Sequence, residues 1–95
     1  MSEPYDDGLP CVLSENVSRL MMDPSLPPDM FGAIVAAMVT IGETGGMVSG
    51  STASPRRPHQ RRLPLGVEGE LGIAEYVISR DGDPPRIVIT HVLVF

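Results

Sequence analysis

Two runs of β-forming residues, 71–79 and 86–95, joined by Arg80-Asp81-Gly82-Asp83-Pro84-Pro85, constrain this chain more than any other feature. Val, Ile, Thr and Tyr dominate both runs, and such side chains suit a pleated, half-buried surface. The connector is turn-forming. Asp81-Gly82 offers a residue that tolerates positive φ, and the paired prolines lack amide donors, so a ladder resumes only at Arg86. An antiparallel hairpin is predicted, with Ser79 opposite Arg86. In that register Ala74, Tyr76 and Ile78 share a face with Ile87, Ile89, His91, Leu93 and Phe95, because side chains alternate along a strand. The other face carries Ile73, Glu75 and Val77 beside Val88, Thr90, Val92 and Val94. Neither face of the second run is polar, which predicts a central strand and at least one further strand beside it.

The remaining elements are read from periodicity and turn chemistry. Residues 9–13 form a short apolar run with Pro10 near its start, as an edge strand or a strand's first residue permits. Ser14 precedes Val17, Leu20 and Met21 at helical spacing, with Glu15 in the first turn, and Asp23-Pro24 ends this short helix. Leu26-Pro27-Pro28-Asp29 opens a longer helix. Phe31, Ile34, Val35, Met38 and Ile41 are its predicted buried stripe, and Gly42 its stop. Its other face, Gly32, Ala33, Ala36, Ala37 and Thr40, is small and uncharged, so it suits either packing within the fold or contact with a partner, including a second copy. Residues 42–62 lack periodicity and read as one long flexible loop whose second half is basic. A short strand is expected in 63–67.

At 95 residues the chain fits one domain over 9–95, preceded by an acidic flexible tail at 1–8. Four aromatic residues leave the core to aliphatic and Met side chains. Cys11 is the lone cysteine, which excludes an intrachain disulfide and suits a reducing compartment. There is no basic start followed by an apolar run, and the uncharged stretch 30–42 is too short for a bilayer. A cytoplasmic protein without a membrane partner is expected.

A net charge of −5 argues against general coating of nucleic acid, yet the cations are clustered. Arg56, Arg57, Arg61 and Arg62 surround His59 in a stretch without an acid. Guanidinium groups make charge-assisted, often bidentate contacts to phosphate or carboxylate, so RNA or an acidic protein is the implied partner; the plain alternative is a solvated loop balancing acids elsewhere. A phosphate loop is not present, because Ser51 stands where a lysine must reach the phosphates. His59, His91 and Cys11 lack the paired spacing of a metal site, and no cofactor is expected. His91 is readable as a strand histidine satisfied by its neighbours or as a general acid or base.

The order of short strand, short helix, Leu-Pro-Pro helix, loop and closing strands resembles the RelE/ParE toxin superfamily. The residues that carry the resemblance are Val12-Leu13-Ser14-Glu15-Asn16-Val17, Leu26-Pro27-Pro28-Asp29-Met30, Arg62-Leu63-Pro64-Leu65-Gly66, Glu75-Tyr76-Val77-Ile78 and Ile87-Val88-Ile89-Thr90-His91-Val92. It implies an α+β domain with two N-terminal helices packed on one face of a three- to four-stranded antiparallel sheet. It also implies a bacterial toxin–antitoxin role, with an antitoxin or other protein partner. Nucleases of the superfamily cut mRNA on the ribosome through a basic cleft on the sheet face. Carried over, that role makes His91 the acid/base and puts Arg61, Arg62, Arg80 and Arg86 on phosphate. This chain has Tyr76-Val77-Ile78 where the superfamily commonly has Tyr-Arg followed by an aliphatic residue, so the strand lacks a cation to stabilise charge on a scissile phosphate. The expected function is therefore macromolecular binding, with Arg56, Arg57, His59, Arg61, Arg62, Arg80 and Arg86 as contacts. An endoribonuclease and a homodimeric accessory protein are the alternatives.

Overall fold

The computed structural model describes residues 8–95, and residues 1–7 of the tail predicted at 1–8 lie outside them. In chain order the elements are β1 (Cys11–Leu13), α1 (Glu15–Met21), α2 (Pro28–Glu43), β2 (Thr52–Ala53), β3 (Gln60–Leu65), β4 (Gly72–Ser79) and β5 (Arg86–Val94). The five strands form one sheet in the order β1-β5-β4-β3-β2. Both helices pack on one of its faces.

This architecture is α+β, but it corrects the expected three- to four-stranded antiparallel sheet beneath two N-terminal helices. The sheet has five strands and is mixed, because β1 runs parallel to β5. Parallel neighbours need a crossover connection, and here α1, α2 and the other three strands all lie between them in the chain. A strand therefore precedes the helices. The additional strand is β2, which emerges from the stretch read as one loop and pairs Thr52 with Arg62 and Ala53 with Arg61.

The predicted hairpin forms with Ser79 opposite Arg86, and β5 lies centrally between β1 and β4. Gly82 does not take positive φ, and the Asp83–Pro84 peptide bond in the connector is cis. Ala74, Tyr76, Ile78, Ile87 and Ile89 face the helices and are buried, as alternation requires. Beyond Ile89 the predicted register fails. Tyr76 pairs with Ile89 but Glu75 pairs with His91, so Thr90 is an extra residue on β5, a β-bulge. One inserted residue transfers the strand's remaining side chains to the opposite faces, so His91 and Leu93 leave the helix side and Val92 joins it.

The helices complete the core through Val17, Met30, Ile34, Ala37 and Ile41. In α2 the buried stripe starts one residue earlier than predicted. Met30 is buried, whereas Phe31, Val35 and Val39 are partly exposed. The helix also runs one residue past Gly42, and the left-handed turn falls on Gly45 and Gly46. Gly46 is needed there: its φ is 92°, and a Cβ would collide with the Ile78 side chain. Gly72 is equally constrained, because its Cβ would strike the Leu93 carbonyl oxygen across the sheet.

Candidate nucleic-acid interface

The run Arg61-Arg62 is legible as two adjacent cations, yet a strand turns adjacent residues to opposite faces. Arg61 pairs with buried Tyr76 and so lies on the helix side. Its Nε and Nη2 donate to Ser51 Oγ at 3.0 and 2.9 Å, and Nη2 also donates to the Ser51 carbonyl at 3.1 Å. Arg80 is similarly committed, donating from Nη2 to the Gly45 carbonyl at 3.1 Å. Together with Tyr76, whose buried hydroxyl donates to the Gly46 carbonyl at 2.6 Å, these residues tie down the segment between α2 and β2. Two of the predicted ligand-binding arginines are therefore structural.

Arg62 faces the other way, onto the side of the sheet without helices. Its partner in register is Glu75, and Glu75 in turn pairs with His91, so the three side chains cross adjacent strands in one row. Arg62 Nε donates to Glu75 Oε2 at 2.6 Å, and His91 Nδ1 lies 3.8 Å from Glu75 Oε1. Glu75 is the sheltered member, with 15% of its side chain accessible against 65% for each neighbour. The sequence does not mark out Glu75, since its pairing with His91 depends on the bulge. The bulge is held by a bond from Thr90 Oγ1 to the Glu75 carbonyl at 3.3 Å and by Ser14 and Asn16 side chains donating to the Thr90 carbonyl.

Beside this row the β2–β3 turn closes with Ser54 N–H donating to the Gln60 carbonyl at 2.8 Å and Gln60 N–H to the Arg57 carbonyl at 2.9 Å. The turn encloses a depression of about 380 Å³ into which Arg56, Arg57 and Arg62 contribute. The rest of its lining is neutral: Thr52, Ala53, Ser54, Pro55 and Gln60. Among the described residues the side chains of Arg56 and Arg57 have neither a hydrogen bond nor an ion pair, so their guanidinium donors are available to a ligand. His59 is exposed and borders a separate small hollow with Ile78, Ser79, Arg80 and Asp81. Arg86, at the far end of the hairpin, reaches only the Pro84 carbonyl. The structure thus brings together Arg56, Arg57, Arg62 and His91 on one side and separates them from Arg61, Arg80, His59 and Arg86.

No protein-family model matches this chain, and no curated protein or solved structure matches it either.

Around the charged row the open face is apolar, with Val12, Ile73, Val77, Val88 and Leu93 exposed or half-buried. Cys11 does not contribute to the site. It is partly buried against the core, and burial pushes its thiol up to about 11, which keeps it protonated and unreactive at neutral pH. No described helix is long and apolar enough to cross a membrane.

Proposed function

We propose that this protein binds single-stranded RNA across the open face of its sheet, with the depression formed by Arg56, Arg57 and Arg62 as the phosphate-binding end. The observation that carries this reading is that three arginines line one concave, otherwise neutral depression. Two of their guanidinium groups are uncommitted to any other described residue. Forked donors suit phosphate oxygens, and the apolar strip beside them suits unstacked bases, which a duplex would keep hidden. An overall charge of −5 fits a local contact rather than indiscriminate coating. Membership of the RelE/ParE superfamily and a toxin–antitoxin setting remain part of this proposal, resting on the sequence motifs.

Fluorescence anisotropy with a labelled single-stranded RNA tests it. Three phosphate contacts give a slope of log K against log salt of roughly −2, and each Arg→Ala change at 56, 57 or 62 reduces that slope by about 0.7. A salt-independent signal, or full binding by the triple variant, would overturn the assignment.

The row Arg62–Glu75–His91 supports a second reading, in which the bound strand is cut. The Glu75 carboxylate would accept the proton of a ribose 2′-hydroxyl as that oxygen attacks phosphorus. The His91 imidazolium would give its proton to the departing 5′-oxygen, leaving a 2′,3′-cyclic phosphate, while Arg62 balances charge on the phosphoryl oxygens. Induced expression in a bacterial host should then arrest growth, and Glu75→Gln and His91→Ala should each relieve it. Unaffected growth with intact RNA binding leaves the protein as a binder.

A further inference from the structure

We propose that the free edge of β5 is where a second copy of this chain docks, the two β5 strands pairing antiparallel about a two-fold axis at Leu93. Phe95 N–H donates to the Leu71 carbonyl at 3.1 Å, on the β4 side of the strand. By alternation residues 91, 93 and 95 turn their backbone toward β4, and Val92 and Val94 turn theirs outward. β1 covers that outer edge only as far as Leu13 opposite Ile89. Ser14 N–H then bonds the Ile89 carbonyl, and Ser14 and Asn16 side chains reach the Thr90 carbonyl. Past Thr90 no described residue pairs with that outer edge, so the amide and carbonyl groups of Val92 and Val94 are left open.

The other end of the sheet is protected differently. On β3 the outward set is Gln60, Arg62 and Pro64; Gln60 accepts from Ser54, Arg62 pairs with Thr52, and Pro64 has no donor to offer. Proline is a common device for blunting an edge, and β5 carries none. Instead its end is Val92-Leu93-Val94-Phe95, uncharged, with Leu93 53%, Val94 46% and Phe95 72% exposed.

A second copy fits this edge for a reason of register. Centring an antiparallel pair on Leu93 sets Val92 of each copy opposite Val94 of the other, and both residues are outward-facing. Each such pair exchanges both N–H···O bonds, so the two pairs together satisfy all four open donors and all four open acceptors at those positions. The absence of charge means that like meets like without repulsion, and the contact is isologous and closes. The two-fold axis is perpendicular to the sheet, so both open faces lie on one side of a continuous ten-stranded surface, twice the five strands of one copy.

Light scattering on the wild-type chain should give twice the single-chain mass. Val94→Pro removes two of the inter-copy bonds while leaving the β4 pairing intact, so it should keep the circular dichroism spectrum and weaken association by about tenfold or more. Leu93 faces its own copy at a position where Cα atoms lie about 4.5 Å apart, within disulfide range. In a Cys11→Ser background, Leu93→Cys should therefore oxidise to a covalent dimer far faster than Val67→Cys, a fully solvated control on another surface. Rapid amide exchange at Val92 and Val94 together with a monomer mass at about 100 μM would overturn the proposal and leave the edge to a foreign strand. So would cross-linking of Leu93→Cys no faster than the control. RNA affinity plays no part in these readouts, so the dimer and the RNA-binding reading stand or fall separately.

Discussion

The two faces of the sheet are built from the same strands by the same alternation, and they differ in what their polar groups are allowed to do. Among the described residues, the polar side chains that β3 and β4 send to the helix side, and Arg80 just past β4, are committed: Tyr76 to Gly46, Arg61 to Ser51, Arg80 to Gly45. A polar group taken out of water costs stability unless it is paired, so the covered face tolerates no spare donors. On the open face Arg62, Glu75 and His91 stand in a row with most of the Arg62 and His91 side chains in water, and Arg56 and Arg57 are unpaired beside them. Solvation removes that penalty, which leaves these groups free to exchange water for a ligand. Adjacent residues make the contrast sharp. Arg61 and Arg62 are identical in chemistry and opposite in role, because a strand turns them to different faces.

Substitutions can break this comparison or sharpen it. The largest loss is expected within the covered face. Ile89→Ala, at a fully buried position, should cost about 2–5 kcal/mol in urea unfolding through lost burial and the cavity left behind. Gly46→Ala should cost about 2–4 kcal/mol, since positive φ and contact with Ile78 act together. The arginine pair gives the decisive contrast. Arg61→Ala should lower stability by about 1.5–3 kcal/mol and leave RNA affinity unchanged, because it strips charge-assisted bonds from a half-buried turn. Arg62→Ala should cost no more than about 1 kcal/mol, since most of the Arg62 side chain is already in water, and should instead weaken RNA binding. If both variants shifted stability equally, the division of labour between the faces would be wrong.

The smallest effect concerns pH. Burial raises the Cys11 thiol from its ordinary 9.0 to about 11, so an unfolded chain loses that proton before the folded one. The stability this contributes is fully present below pH 9.0 and is lost as pH rises through about 11. Cys11→Ser should flatten that alkaline limb of an unfolding curve without moving the neutral one.

Much of the covered face was legible from local pattern. Alternation in 71–79 predicts the burial of Ala74, Tyr76 and Ile78, and the 79–86 register follows from the turn. The β1 strand, the two helices and the central place of β5 also follow from apolar spacing and proline positions. The site was legible only in part. Arg56, Arg57 and Arg62 were in the predicted set, but so were Arg61 and Arg80, and nothing local separates a guanidinium that will meet solvent from one that will meet a carbonyl thirty-five positions away. Glu75 was read as one polar residue on the face opposite His91, because one unrecognised bulge residue changes the face of everything after it.

By itself, then, the amino-acid order determined where β1, the two helices, β4 and β5 lie, and which side chains of β4 must be hidden, since these depend on interactions between near neighbours; β2 and the start of β3, inside a stretch without periodicity, it did not mark. The tertiary structure alone decided that β1 runs parallel to β5, that Thr90 is squeezed out of the ladder, and that His91 consequently stands beside Glu75. The physical reason is range. Hydrogen bonds from Ser14 and Asn16 to the Thr90 carbonyl join residues more than seventy positions apart, and such pairings carry no signature in either segment read alone.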